Sequence, residues 1–147
     1  MTKICIASDH HGVKVKRKII DYLTKKNYEV IDYGPDNEEA VDYPIYAKKV
    51  GSAIINHDAD FGILLCATGI GMSIACNRIK GIRCAHVTNA SDAKHTREDN
   101  DANVIALNAN LLKYKIYDIL DVFLTTPFSG EERHKRRIAM LDEDIND

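Results

Sequence analysis

Phe61-Gly62-Ile63-Leu64-Leu65-Cys66-Ala67-Thr68-Gly69-Ile70-Gly71-Met72-Ser73 reads as an apolar strand that stops at a cysteine, a glycine-punctuated turn and a helix start. That order puts one thiol at the carboxyl end of a strand, the edge where open α/β sheets bind their ligands. The turn behind it offers backbone N–H groups to an anion. A thiol beside such a turn can carry proton-transfer or nucleophilic chemistry, which points to an enzyme.

Working outward, strand-like and helical patterns alternate along the chain. The spacing predicts strands at 4–7, 29–33, 61–66, 83–87 and 104–107. Between and after them it predicts helices at 13–26, 46–55, 72–79, 91–98 and 111–124, with Ser91 as an N-cap. Five strands, each followed by a helix, predict an α/β fold: one Rossmann-like domain over residues 1–147, a five-stranded parallel sheet with helices on both faces. A charged last helix, about 131–144, has few core positions and is expected to pack on a second subunit.

Composition narrows the function classes. With 45% hydrophobic and 29% charged residues, the 147-residue chain is an ordinary globular domain with enough apolar material for a core. A net charge of −2 gives no basis for nucleic-acid binding. No apolar run reaches the roughly 20 residues a membrane span needs. The N-terminus runs straight into a strand pattern without a signal-peptide layout, so a cytoplasmic location is expected. Cys5, Cys66, Cys76 and Cys84 form no C-x-x-C pair; they predict reduced, mostly buried thiols and no zinc site.

Gly69-Ile70-Gly71 follows the third strand, not the first, so it does not read as a dinucleotide fingerprint. It reads as a turn that approaches a small anion closely. Of the four cysteines, Cys66 alone has this turn beside it, which singles it out from a buried structural thiol. Ser8-Asp9-His10-His11-Gly12 ends the first strand on the same edge. Asp9 can accept hydrogen bonds from sugar hydroxyls and a histidine can pair with phosphate; adjacent side chains point apart, so one of the two histidines is expected to face the site. Arg133 and Arg137, four apart on one helical face, suit two-point phosphate capture. The polar run Thr96–Asn103 reads as a hydroxyl-reading loop or a capped helix end.

Asp9-His10, Asp42-Tyr43-Pro44, Cys66-x-Thr68-Gly69-Ile70-Gly71, Asn100-Asp101-Ala102-Asn103 and Arg133-His134-x-x-Arg137 together resemble ribose-5-phosphate isomerase type B and its galactose-6-phosphate isomerase relatives. The resemblance runs the whole length, in order. It implies a cofactor-free and metal-free aldose–ketose isomerase of a sugar phosphate, in pentose phosphate metabolism if the sugar is ribose. Cys66 is then the base that moves a proton between C1 and C2 through a cis-enediolate, with Thr68 assisting. Ala67, Gly71 and Asn100 hold the enediolate oxygens. Asp9 and Tyr43 position the sugar, His10, Arg133 and Arg137 hold the phosphate, and Gly69 is also substrate-binding. The family's homodimers or homotetramers share active sites between subunits. The chain differs from the pattern at Asp99, where a ring-opening histidine is usual, at Asn110 in place of an arginine, and at Ala67 and Glu131-Glu132 in place of glycines. Asp99 is the candidate for ring opening. Those differences leave open another pentose or hexose phosphate (allose 6-phosphate, galactose 6-phosphate), or a non-catalytic phosphosugar-binding subunit.

Overall fold

The computed structural model describes residues 1–144. Its elements in chain order are β1 (Lys3–Ser8), α1 (Val13–Lys25), β2 (Glu29–Asp32), α2 (Tyr43–Ile55), β3 (Phe61–Cys66), α3 (Ile70–Cys76), β4 (Cys84–His86), α4 (Ala90–Asn100), β5 (Val104–Asn108), α5 (Lys113–Thr125) and α6 (Glu132–Met140). All strand pairs are parallel, in the order β2-β1-β3-β5-β4. No helix among the described residues is long and apolar enough to cross a membrane.

The handedness of crossovers fixes the layers. The steps β1→β2 and β4→β5 run one way along the sheet, and β2→β3 and β3→β4 run the other. Right-handed connections therefore put α1 and α4 on one face and α2 and α3 on the opposite face. The two cores agree with this. Ile4, Ile6, Ile63, Leu65, Ile105 and Leu107 meet α1, α4 and α5 on one side. Cys5, Ala7, Leu64, Cys66, Val104 and Ala106 meet α2 and α3 on the other. The three central strands thus alternate, β1 and β5 with their smaller side chains toward α2 and α3. After β1 the chain leaves to one face and after β3 to the other, which opens a crevice at their carboxyl ends.

Local boundaries depart from the sequence reading in instructive ways. Helix α2 begins at Tyr43, not Tyr46, because Pro44 fits the first turn, whose N–H groups have no helical acceptor. Helix α3 begins at Ile70 directly after Gly69 and is shorter than expected at its far end. The N-cap of α4 is Asn89, not Ser91: the Asn89 side chain accepts from the Asp92 N–H at 2.8 Å. The last helix spans Glu132–Met140 rather than the full 131–144.

One buried cation braces the carboxyl edge. Lys16 of α1 is 1% exposed, and its Nζ donates to Asp32 Oδ1 and the Pro35 carbonyl, both at 2.7 Å. Asp32 Oδ1 also accepts from the Gly34 N–H at 2.8 Å, and the Gly34 carbonyl accepts from the Ser8 N–H at 3.1 Å. These bonds tie the start of the β2–α2 loop to the end of β1, one residue before Asp9.

Candidate active site

Strand alternation sends Cys5, Ala7 and then Asp9 to the same face of the sheet as Leu64 and Cys66. The Asp9 N–H donates to the Leu65 carbonyl at 2.9 Å, which lays the turn after β1 against the end of β3. Asp9 is buried; its Oδ1 accepts from the His11 N–H at 2.9 Å and its Oδ2 lies 3.2 Å from His11 Nδ1. His10 Nδ1 accepts from the Val41 N–H at 3.3 Å, which leaves Nε2 carrying the proton of the neutral ring. The two histidines do not diverge as expected. Residues 10–12 form a 3₁₀ turn rather than a strand end, and the ring centroids are 4.1 Å apart.

The Cys66 sulfur accepts from the Gly69 N–H at 3.0 Å. Gly69 has φ +84°, and a Cβ there would lie 2.8 Å from the Leu107 carbonyl carbon and 2.9 Å from the His86 ring. Ala67 is not among the left-handed residues, so it occupies this turn without backbone strain. Thr68 is exposed; its Oγ1 accepts from the Ile70 N–H at 3.2 Å. The N–H groups of Ala67 and Gly71 find no acceptor among the described residues, so both are free to bind an oxyanion. Tyr43, at the start of α2, lies over Gly71: a Cβ on Gly71 would come 2.9 Å from the Tyr43 ring carbon Cζ. Asp9, His10, Tyr43, Cys66, Ala67, Thr68, Gly69 and Gly71 therefore share the carboxyl edge.

All four cysteines are buried, and two of them are held firmly as thiols. Desolvation pushes Cys5 up to about 12. Cys84 is raised well above its ordinary range, first by its hydrogen bond with Cys76 and then by burial. Both stay protonated at neutral pH.

Asp99, Asn100, Arg133 and Arg137 lie elsewhere. Helix α4 runs back to the amino edge of the sheet, where the Asn100 carbonyl accepts from Arg83 Nε at 2.9 Å, just ahead of β4. Val104 is level with Gly62, four residues before Cys66, so the two groups are about 13 Å or more apart at ~3.3 Å per residue. Helix α6 is held at that amino edge at both ends, by Ser129 N–H to the Glu98 carbonyl (3.2 Å) and Gly81 N–H to Asp142 Oδ2 (3.0 Å). Arg133 and Arg137 are exposed, and Arg133 pairs with Glu131. His134 is buried between them and α4: Nδ1 meets Ser129 Oγ at 2.7 Å and Nε2 lies 3.6 Å from Asp99 Oδ1. Ser129 Oγ also accepts from the Glu131 N–H at 3.3 Å, which ties His134 to the start of α6.

Two residues escaped the sequence reading as contributors. His86 Nε2 lies 2.9 Å from the Thr68 carbonyl, and Asn110 Nδ2 donates to the Ala67 carbonyl at 3.3 Å. Their position at or just beyond strand ends was the available signal. Lys113, the next cation after Asn110, places its ammonium over the Tyr117 ring.

Comparison with known proteins adds to this geometry. The family described as Ribose/Galactose Isomerase matches residues 4–141. The crystal structure of a ribose 5-phosphate isomerase from Thermotoga maritima superposes with a TM-score of 0.94 at 49% identity, covering 97% of this chain and 99% of that one. A Clostridium thermocellum ribose-5-phosphate isomerase B gives 0.93 at 44% identity, covering 96% and 95%. The Escherichia coli ribose-5-phosphate isomerase B is 37% identical over 142 residues, 96% of this chain and 95% of its own. The chain belongs to the ribose/galactose isomerase family of sugar-phosphate isomerases.

Proposed function

We propose that this chain interconverts an aldose phosphate and its ketose, with ribose 5-phosphate as first substrate, and that Cys66 is the base. The Cys66 thiolate takes the proton from C2 of the open-chain aldose. It returns that proton to C1 once the hydroxyl proton has moved from O2 to O1, with Thr68 assisting. A C–H bond beside a carbonyl is weakly acidic, so this step needs a base and stabilisation of the enediolate together. The observation that carries the reading is the turn at 66–71, which sets the sulfur beside two backbone N–H groups without acceptors, those of Ala67 and Gly71. Asp9 and Tyr43 position the sugar, Gly69 lets the turn come close to it, and the His10 Nε2–H meets the phosphate.

Two subunits complete the site. Asn100, Arg133 and Arg137 are needed beside Cys66, yet their own chain holds them at the opposite edge of the sheet. In a homodimer or homotetramer the partner supplies them: the Asn100 side chain to the enediolate, the two guanidinium groups to the phosphate. Exposed apolar side chains support such contacts. Ile70 and Ile74 lie on α3 beside the turn, and Met140 and Leu141 at the end of α6, all half or more exposed. Asp99 exchanges the ring-opening protons: its carboxylate takes the anomeric hydroxyl proton and the ring oxygen receives one back. His134 lies beside that carboxylate, its Nε2 3.6 Å from Asp99 Oδ1.

The family's description names both ribose and galactose, which supports a hexose phosphate as second reading. Direct turnover of ribose 5-phosphate to ribulose 5-phosphate, with Cys66→Ala as control, decides between them. Turnover that vanishes in the variant supports the reading. A wild-type chain inert toward ribose 5-phosphate but active on allose 6-phosphate or galactose 6-phosphate moves the substrate to a hexose. Stabilisation by the sugar phosphate without turnover marks a binding subunit.

A further inference from the structure

His11 has no part in the isomerisation described above, yet it completes a compact donor set. One Asp9 carboxylate oxygen and one ring nitrogen from each of His10 and His11 lie within 4.8 Å of one another. Asp9 Oδ2 and His11 Nδ1 are hydrogen-bonded at 3.2 Å, and an ion would take the place of the shared proton. Two neighbouring ligands on one ion, each bonded at about 2.0–2.2 Å, sit roughly 3 Å apart, so this pair already has the spacing of a shared ion. The carboxylate is held for the purpose: Asp9 is 7% exposed, its Oδ1 is occupied by the His11 N–H, and Oδ2 is left facing the imidazole. The His11 side chain is about half exposed, which gives an ion a way in.

The geometry points to Asp9, His10 and His11 as a site for a borderline divalent cation such as Ni²⁺ or Zn²⁺. Two imidazoles and one carboxylate on one side of the ion leave its remaining positions open, a donor set that suits these metals over Mg²⁺ or Ca²⁺. If His10 binds through Nδ1, the ion replaces its 3.3 Å hydrogen bond from Val41, a long and weak one. The ion takes no part in the isomerisation. It occupies Asp9 and His10, so it and the sugar phosphate exclude each other; this consequence rests on the substrate roles assigned above.

NiCl₂ titrated calorimetrically into the full-length protein, in a buffer without chelators, tests the site. One Ni²⁺ per chain is expected, with binding at least tenfold weaker in His11→Ala and unchanged in Cys66→Ala. His11→Ala should keep its turnover of ribose 5-phosphate and lose its inhibition by Ni²⁺. Equal binding by His11→Ala, loss of binding in Cys66→Ala, or no binding at millimolar Ni²⁺ overturns the site. Histidine-dependent binding that leaves wild-type turnover untouched keeps the ion site and instead overturns the substrate roles of Asp9 and His10.

Discussion

The sulfur of Cys66 and the backbone N–H of Gly69 are hydrogen-bonded at 3.0 Å across a turn that glycine's φ of +84° makes possible. In the proposed reaction this thiol is the base, and the same turn leaves the N–H groups of Ala67 and Gly71 without acceptors among the described residues, for the enediolate's developing charge. Cys66→Ala should therefore lower kcat by about 10³-fold, within the usual range for removing a general base, and leave the far-ultraviolet circular dichroism unchanged. Cys66→Ser should be nearly as impaired, since a hydroxyl gives up its proton far less readily than a thiol. Retained turnover in Cys66→Ala would remove the thiol from the mechanism.

Gly69→Ala tests the turn itself. The new Cβ must adopt a left-handed conformation and meets the Leu107 carbonyl carbon at 2.8 Å. A loss of stability of about 1–3 kcal/mol is expected, with a drop in kcat because the donor to Cys66 shifts. Ala67→Gly is the counterpart. Ala67 is not left-handed, so this change should alter kcat less than about twofold. Melting curves and steady-state kinetics on the two variants separate strain from chemistry.

The Lys16–Asp32 pair braces the loop that leads to Val41, whose N–H orients His10. Lys16→Met leaves the Pro35 carbonyl without its donor and Asp32 with only the Gly34 N–H. The cost should be about 3 kcal/mol, at the low end for a broken buried pair because the Asp32 side chain keeps 34% of its surface exposed. Urea midpoints read the stability. A KM increase larger than the kcat decrease would show that the loop serves binding.

Burial of Cys5 sets an alkaline limit on stability. Its folded pKa is pushed up to about 12 from an ordinary value of 9.0. Between those values the unfolded thiol loses its proton and the folded one keeps it, so the folded state binds more protons and stability falls as pH rises. The contribution is fully present below about pH 9 and is lost toward pH 12, at up to about 1.4 kcal/mol per pH unit. Cys5→Ala should reduce the slope of the urea midpoint against pH above pH 9. An unchanged slope would assign the alkaline loss to other groups.

Much of this architecture was legible in the chain because its signals are local. The short apolar runs Ile4–Ala7 and Val104–Leu107, the glycines after Cys66 and the helical spacing from Val15 to Leu23 each depend on near neighbours. The misses also have local causes. Pro44 started α2 earlier than its apolar pattern, and Asn89 outcompeted Ser91 as a cap by reaching the Asp92 N–H. A 3₁₀ turn brought together two histidines that an extended chain would have parted. The strand order, and with it the edge at which each motif lies, depends on pairings between distant residues that no window displays. For that reason Asn100 and Arg137 could be named from sequence, but their separation from Cys66 could not.

That separation has a direct test. If Cys66 of one subunit works with Arg137 of the next, two inactive variants should repair each other. Co-refolding equal amounts of Cys66→Ala and Arg137→Ala chains makes about half the dimers mixed when subunits pair at random. Each mixed dimer holds one site with both residues lost and one with both intact. The mixture should then recover about a quarter of wild-type activity from two nearly inactive parents, read as turnover per chain after refolding. Sites contained within single chains would recover nothing, because every chain would still lack one of the two residues. The same experiment with Cys66→Ala and Asn100→Ala asks whether the enediolate contact also comes from the partner, and it should give the same quarter.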